Sequence, residues 1–154
     1  MTSFAEKIFQ PIDVGDLIRR ARNDGEGIFV HGLFQGFYGS GNKLIEGELQ
    51  EGEPEGIWQM FYENGCVWQK IQFQDGRKDG IWYVFYDTGA LWIRGEFRNN
   101  ARVGDWLYCF PDGHPMMRGQ YVGDKKSGCW MSFNTQGLIL GHWDYGDSFL
   151  ESER

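Results

Sequence analysis

Six side chains could carry acid–base, nucleophilic or metal chemistry: His31, His114, His142, Cys66, Cys109 and Cys129. A nucleophilic pair needs a thiolate with a base at hydrogen-bond distance, and a metal centre needs several ligands converging on one point. The spacing announces neither. The histidines lie far apart along the chain. The three cysteines are an odd number without a C-x-x-C pair, which argues against a disulfide framework or a zinc site. His114 follows a turn glycine and precedes Pro115, and no phosphate-binding glycine loop, H-E-x-x-H or G-x-S-x-G string occurs. Distant Cys and His residues can still meet in a fold. The expectation is nevertheless a non-enzymatic protein with no cofactor and no metal.

The side chains present in quantity are those that build packing and recognition surfaces. The 154 residues include 7 Trp, 12 Phe and 7 Tyr, 17% in all, with 23 Gly and 4 Pro, and 41% are hydrophobic. That suits one domain of short strands and tight turns and excludes collagen-like and disordered classes. The net charge of −7 disfavours nucleic acid and direct binding to anionic membranes, which attract an excess of Lys and Arg, and leaves a basic protein partner open. No apolar run approaches the roughly 18 residues of a membrane span, and the opening MTSFAEKIFQPIDVGDLIRR has no secretory apolar region. The expected location is the cytoplasm.

The elements that must position these residues follow from a repeat. Trp58, Trp82, Trp106 and Trp130 are each 24 residues apart. Two residues before them stand Gly56, Gly80, Gly104 and Gly128; seven after them stand Gly65, Gly89, Gly113 and Gly137. Phe73, Phe97, Tyr121 and Tyr145 continue the period, and one step back lie Gly32, Phe34, Gly41 and Leu49. Five units result, 32–55, 56–79, 80–103, 104–127 and 128–151, without insertion. Each reads as a β-hairpin. In the third, strand one is Ile81–Tyr86, the turn is DTG, strand two is Ala90–Phe97, and RNNARV is a polar link. Glycine third in the turn suits a type I turn closed by a left-handed residue. The predicted fold is all-β: a single-layer, elongated sheet of five stacked hairpins.

Residues 1–31 differ. Val14, Leu17, Ile18 and Ala21 fall at helical spacing, with Asp13 as N-cap and NDG at 23–25 as stop. A short N-terminal helix that caps the stack is expected, because terminal repeats need a polar cover; a partner-binding helix is the alternative. Residues 152–154 read as a tail.

The phrase G-x-W-x-x-[FY]-x-x-x-G resembles the MORN repeat, in the variant form found in bacterial proteins. It is carried by Gly56-Ile57-Trp58…Tyr62…Gly65, Gly80-Ile81-Trp82…Tyr86…Gly89, Gly104-Asp105-Trp106…Phe110…Gly113 and Gly128-Cys129-Trp130…Gly137. The resemblance implies hairpins stacked into one twisted layer. It also implies a protein partner, a toxin domain bound by an antitoxin or immunity protein; eukaryotic relatives suggest scaffolding or membrane-associated assembly instead. Asn134 and Cys109 depart from the aromatic pattern, so the last two units are expected to pack less regularly.

With a three-residue turn, residues flanking it pair directly. One face of the third unit then carries Ile81, Tyr83, Phe85, Leu91, Ile93, Gly95 and Phe97, and the other Trp82, Val84, Tyr86, Ala90, Trp92, Arg94 and Glu96. A four-residue turn would swap the faces of strand two. The invariant Trp column reads as a structural ladder. Beside it run varied columns and a basic column, Lys70, Arg94, Arg118 and His142. These cations are either solvated surface ion pairs, worth about 0–1 kcal/mol each, or a charged rim around aromatic anchors. The candidate partner-binding residues are Trp68, Trp92, Arg94, Tyr108 and Arg118, of the types that dominate interface hot spots. The acidic run EGELQEGEPEG at 46–56 is a solvated loop or an electrostatic guide for a basic partner. Three roles remain: an immunity protein or antitoxin, a scaffold, and a carbohydrate binder, the last without a specific sequence feature.

Overall fold

The computed structural model describes residues 14–16, 18 and 31–146. Among these, ten strands form one antiparallel sheet in chain order: β1 Gly32–Phe37, β2 Lys43–Gln50, β3 Glu53–Phe61, β4 Val67–Gln74, β5 Arg77–Phe85, β6 Leu91–Arg98, β7 Ala101–Cys109, β8 Pro115–Val122, β9 Lys125–Phe133 and β10 Ile139–Asp144. The all-β single layer is the one expected.

The hairpin turns are as the sequence predicts. Tyr86 N–H donates to the Ala90 carbonyl at 2.8 Å and Gly89 N–H to the Tyr86 carbonyl at 2.9 Å, with Gly89 at φ +88°. The links are not. They are two-residue turns with both residues left-handed, Glu51-Gly52, Asp75-Gly76, Asn99-Asn100 and Gly123-Asp124, the type I′ geometry that matches strand twist. The strands therefore run through RNNARV, and β7 begins at Ala101.

The face assignment is corrected. Phe85 opposes Leu91, but Val84 opposes Ile93, so Trp92 is an extra residue, a β-bulge. Leu44, Trp68, Met116 and Leu140 bulge at the same step in the other hairpins. One inserted residue turns the rest of strand two over. Trp82, Val84, Ile93 and Gly95 thus share one face, and Tyr83, Arg94 and Glu96 the other. At the link side Ile71 opposes Trp82 while Phe73 opposes Lys78. Here three residues centred on Gly80, at φ +124°, face Gln72. That offset is even, so faces are kept.

The Trp face is the core. Trp58, Trp82, Trp106 and Trp130 are all buried there with Ile45, Met60, Ile71, Phe73, Val84, Ile93 and Tyr121, as the structural reading of the ladder requires. Three of the indoles lie on a glycine of the preceding strand. A Cβ at Gly47, Gly95 or Gly119 would stand 2.1, 2.5 or 2.1 Å from the ring of Trp58, Trp106 or Trp130. The rings are crossed edge-on by the next aromatic column: Phe97 against Trp82 at 5.7 Å and Trp106 at 5.5 Å, Tyr121 against Trp106 at 5.3 Å and Trp130 at 5.0 Å. Such pairs contribute beyond their buried area.

Tyrosines stitch one hairpin to the next near the turns. The hydroxyls of Tyr38, Tyr62 and Tyr86 donate to the carbonyls of Phe61, Phe85 and Cys109 at 2.7–2.8 Å. Phe110 has no hydroxyl, and Asn134 spends its side chain on its own turn, accepting from Gln136 and Leu138 N–H. The last two hairpins keep the common backbone register but supply no such hydroxyl themselves, so the irregularity expected there is confined to side chains.

Val14 and Ile18 are helical and buried in the main hydrophobic cluster. Gly15 lines a cavity with Pro54, Phe73, Gly76, Lys78 and Asn100, at the link end of β3 to β7. Asp13, Leu17, Ala21, the 23–25 stop and the 152–154 tail lie outside the described residues.

Gly119→Ala should destabilise by about 1–3 kcal/mol, because Trp130 must leave its seat. Gly39→Ala, where an added Cβ meets nothing within 4 Å, should stay within about 0.5 kcal/mol; urea unfolding measures both. Burial first, and then Asp87, hold the Tyr62 hydroxyl above its ordinary pKa. A raised folded pKa gives stability that is complete below the unfolded value of about 10 and is lost as pH rises through the folded one. Tyr62→Phe should cost about 0.5–1.5 kcal/mol at neutral pH and flatten the alkaline fall in stability.

Candidate partner-binding face

The structure divides the five candidate residues between two faces. Trp68, Trp92 and Tyr108 are partly buried and packed against the core. Trp92 stacks on Tyr86 at 5.0 Å with planes 15° apart, and Trp68 lies 5.8 Å from Tyr62. Arg94 and Arg118 are exposed and stand opposite Tyr83 and Leu107 on the other side of the sheet. The expected juxtaposition of aromatic anchors and basic rim therefore fails. The reason is the bulge: Trp68 and Trp92 are themselves the bulged residues, so an alternation counted from the turn misplaces every residue beyond them.

On the open face the register draws a single line across nine strands: Glu46, Gln59, Lys70, Tyr83, Arg94, Leu107, Arg118, Met131 and His142. Cations stand on β4, β6 and β8 with His142 on β10, and between them lie half-buried Tyr83, Leu107 and Met131. Arg118 leans on the Phe133 ring at 5.6 Å. Lys70, Arg94 and Arg118 form no ion pair with any described residue, unlike Lys43 with Glu46 at 2.6 Å and Arg102 with Asp124 at 2.9 Å. The reading of the basic column as surface ion pairs is thus replaced. A cleft of about 620 Å³ opens between Arg94 and Arg118, lined by Leu107, Met131, Asp105 and Cys129 among others. Sequence reasoning missed Tyr83, Leu107 and Met131; their signal was the varied column that alternates with the cations once the bulge is counted.

The acidic run is also split. Glu46 and Glu48 lie on β2, the former held below the usual carboxylate range by its hydrogen bond from Lys43. Glu51, Glu53 and Glu55 gather with Asp75 at the link end, where Glu55 accepts the Asp75 N–H at 2.8 Å. The residue types of acid–base chemistry stay apart in role. Burial pushes the Cys109 thiol up, away from its nucleophilic form. His114 pairs with Asp112 of its own turn at 3.2 Å, and His31 accepts the Glu51 N–H at 3.3 Å. Among the described residues no three His, Cys, Asp or Glu side chains converge as metal ligands would.

Two hairpins decide the likeness. Residues 54–75 and 78–99 match the MORN repeat variant family. The MORN-variant segments coincide with the β3–β4 and β5–β6 hairpins, the part of the sheet that carries Trp58, Trp82 and the first cations of the open face. Repeats of this kind build proteins used for binding or assembly. No curated protein matches the chain. Among the described residues no helix is long and apolar enough to cross a membrane.

Trp92→Ala should lower stability by roughly 2–4 kcal/mol, the range of a large core truncation, because it removes the ring stacked on Tyr86. Arg94→Ala should stay within about 0.5 kcal/mol. Chemical denaturation of the two variants reads the division of faces directly.

Proposed function

We propose that the chain is a non-enzymatic protein-binding sheet of the cytoplasm, docking its partner on the open face, and that its finer role is that of an antitoxin or immunity protein occluding a toxin domain. The observation that carries the binding role is the line of cations without ion pairs, interleaved with half-buried hydrophobics, on a scaffold whose packing lies on the opposite face. A surface already rigid loses little freedom on association, which favours tight complexes. The toxin rests on the likeness of the repeat phrase to bacterial antitoxin and immunity proteins. A second reading, scaffolding, is favoured by one feature: Leu138, Ile139, Leu140 and Trp143 at the β10 edge are 48–69% exposed, and exposed apolar edges invite association.

Purification from the native host at physiological salt should retain one protein in fixed stoichiometry. The Arg94→Glu/Arg118→Glu chain should bind it at least about tenfold more weakly, about 1.4 kcal/mol, with thermal unfolding unchanged. Retention of a toxin whose activity is restored by that variant supports the finer role. Self-association lost in Ile139→Lys, with no heterologous partner, supports scaffolding instead. Recovery of glycans or lipids alone overturns both.

A further inference from the structure

The spacing of the open-face line is regular enough to describe what fits it. Neighbouring strands lie about 4.8 Å apart, so cations on every second strand recur at about 9.6 Å. Midway between them stand Tyr83, Leu107 and Met131. Two residues along the strands, about 6.7 Å away, Glu96, Asp105 and Asp144 stand beside the line on β6, β7 and β10, with Gln120 and Cys129 at that step on β8 and β9.

We infer that the open face reads an acidic amphipathic helix of the partner, laid across the strands, with carboxylates one heptad apart over Lys70, Arg94 and Arg118 and an apolar side chain midway over Leu107. This deepens the protein-binding reading and rests on it. Seven residues of α-helix rise about 10.5 Å, close to the cation spacing, and residues three or four further on return to the same helix face. An acid-x-x-apolar-x-x-x-acid segment therefore meets cation, hydrophobic and cation in turn. An extended chain also covers about 10 Å in three residues, but its residues i and i+3 point to opposite sides. A nucleic acid strand or an anionic membrane would meet Arg94 and Arg118 but would press its further phosphates against Glu96 and Asp105, on a chain of net charge −7. A helix satisfies both the cations and the neighbouring carboxylates of Glu96 and Asp105 by carrying basic residues along one flank. Ion pairs formed over the half-buried floor lose water on one side and are stronger than pairs in bulk solvent.

The test uses fluorescence anisotropy with three labelled helical peptides on the intact chain. All have a leucine midway between heptad-spaced positions that hold glutamate, glutamine or lysine. The glutamate peptide should bind at least about tenfold tighter than the glutamine peptide, with salt reducing the difference. The Arg94→Glu/Arg118→Glu chain should reverse the order and prefer lysine, while Arg94→Lys/Arg118→Lys keeps it. No binding of the glutamate peptide, or an order indifferent to charge reversal, overturns the inference. So does single-stranded RNA displacing the glutamate peptide as well as the unlabelled peptide does, since that marks a polyanion site. If a protein partner is retained by the host purification while the peptides fail, the helix is wrong and the binding role stands. If no protein partner is retained at all, the binding role fails as well.

Discussion

An indole lying on a glycine of the strand before it is the contact on which this sheet depends. A single layer has no second sheet to bury its apolar side chains, so apart from the helical Val14 and Ile18 the burial comes from within the sheet. Trp is large enough to cover a neighbouring strand, provided that strand offers no side chain. Gly47, Gly95 and Gly119 meet that condition for Trp58, Trp106 and Trp130. The edge-on Phe97 and Tyr121 then close the sides of the rings. Each hairpin completes the core of its predecessor, so stability accumulates between neighbours. The fixed columns are those that this handover requires.

The exception clarifies the rule. Ile71 stands where β2, β6 and β8 have Gly47, Gly95 and Gly119, and Trp82 has no seat on β4. Its indole N–H donates to the buried Gln69 side chain at 3.1 Å, whereas Trp58 and Trp130 reach the backbone carbonyls of Glu48 and Gln120 at 3.1 and 3.0 Å. Gln69 is buried because it supplies the acceptor that a displaced ring lacks, and a buried indole without one would lose the worth of a hydrogen bond. Ile71 in return fills the space beside Trp58, which it opposes in register. A polar residue in the core and a missing glycine are thus one adjustment made at two positions.

The period of 24, the hairpin turns and the structural role of the Trp column were legible because each depends on residue type at fixed spacing. Gly89 and its equivalents announce a left-handed turn closure, and Trp at constant spacing announces stacking. The faces were not legible because a β-bulge is a backbone event. Trp92 opposes no residue of its own, and nothing in its identity marks it as extra, since Leu44 and Met116 bulge equally. Counting alternation from the turn is correct up to Leu91 and inverted beyond it. The candidate site inherits that inversion: Arg94 and Arg118 stand on the open face, while Trp92 and Tyr108, expected beside them, pack on the other side. The I′ links were legible in principle, since Asp75-Gly76 and Asn99-Asn100 are residues that tolerate positive φ. Their polarity made them look like connectors, although strands continue on both sides.

The overall charge is a poor guide to this molecule because its charges are sorted by place. Acidic groups collect at the link end, where Glu55, Asp79 and Asp124 accept backbone N–H groups of Asp75, Asn99 and Arg102, and so serve the turns. Lys70, Arg94 and Arg118, which form no ion pair with any described residue, stand on the open face. A sheet with one face committed to packing leaves the other under little structural constraint: changes at Lys70, Arg94 or Arg118 touch no core ring, while a change at Gly119 or Trp130 does. Side chains along the open line can therefore change residue by residue while the fold holds still beneath them. The interval between them is set by the strand spacing that the backbone ladder imposes.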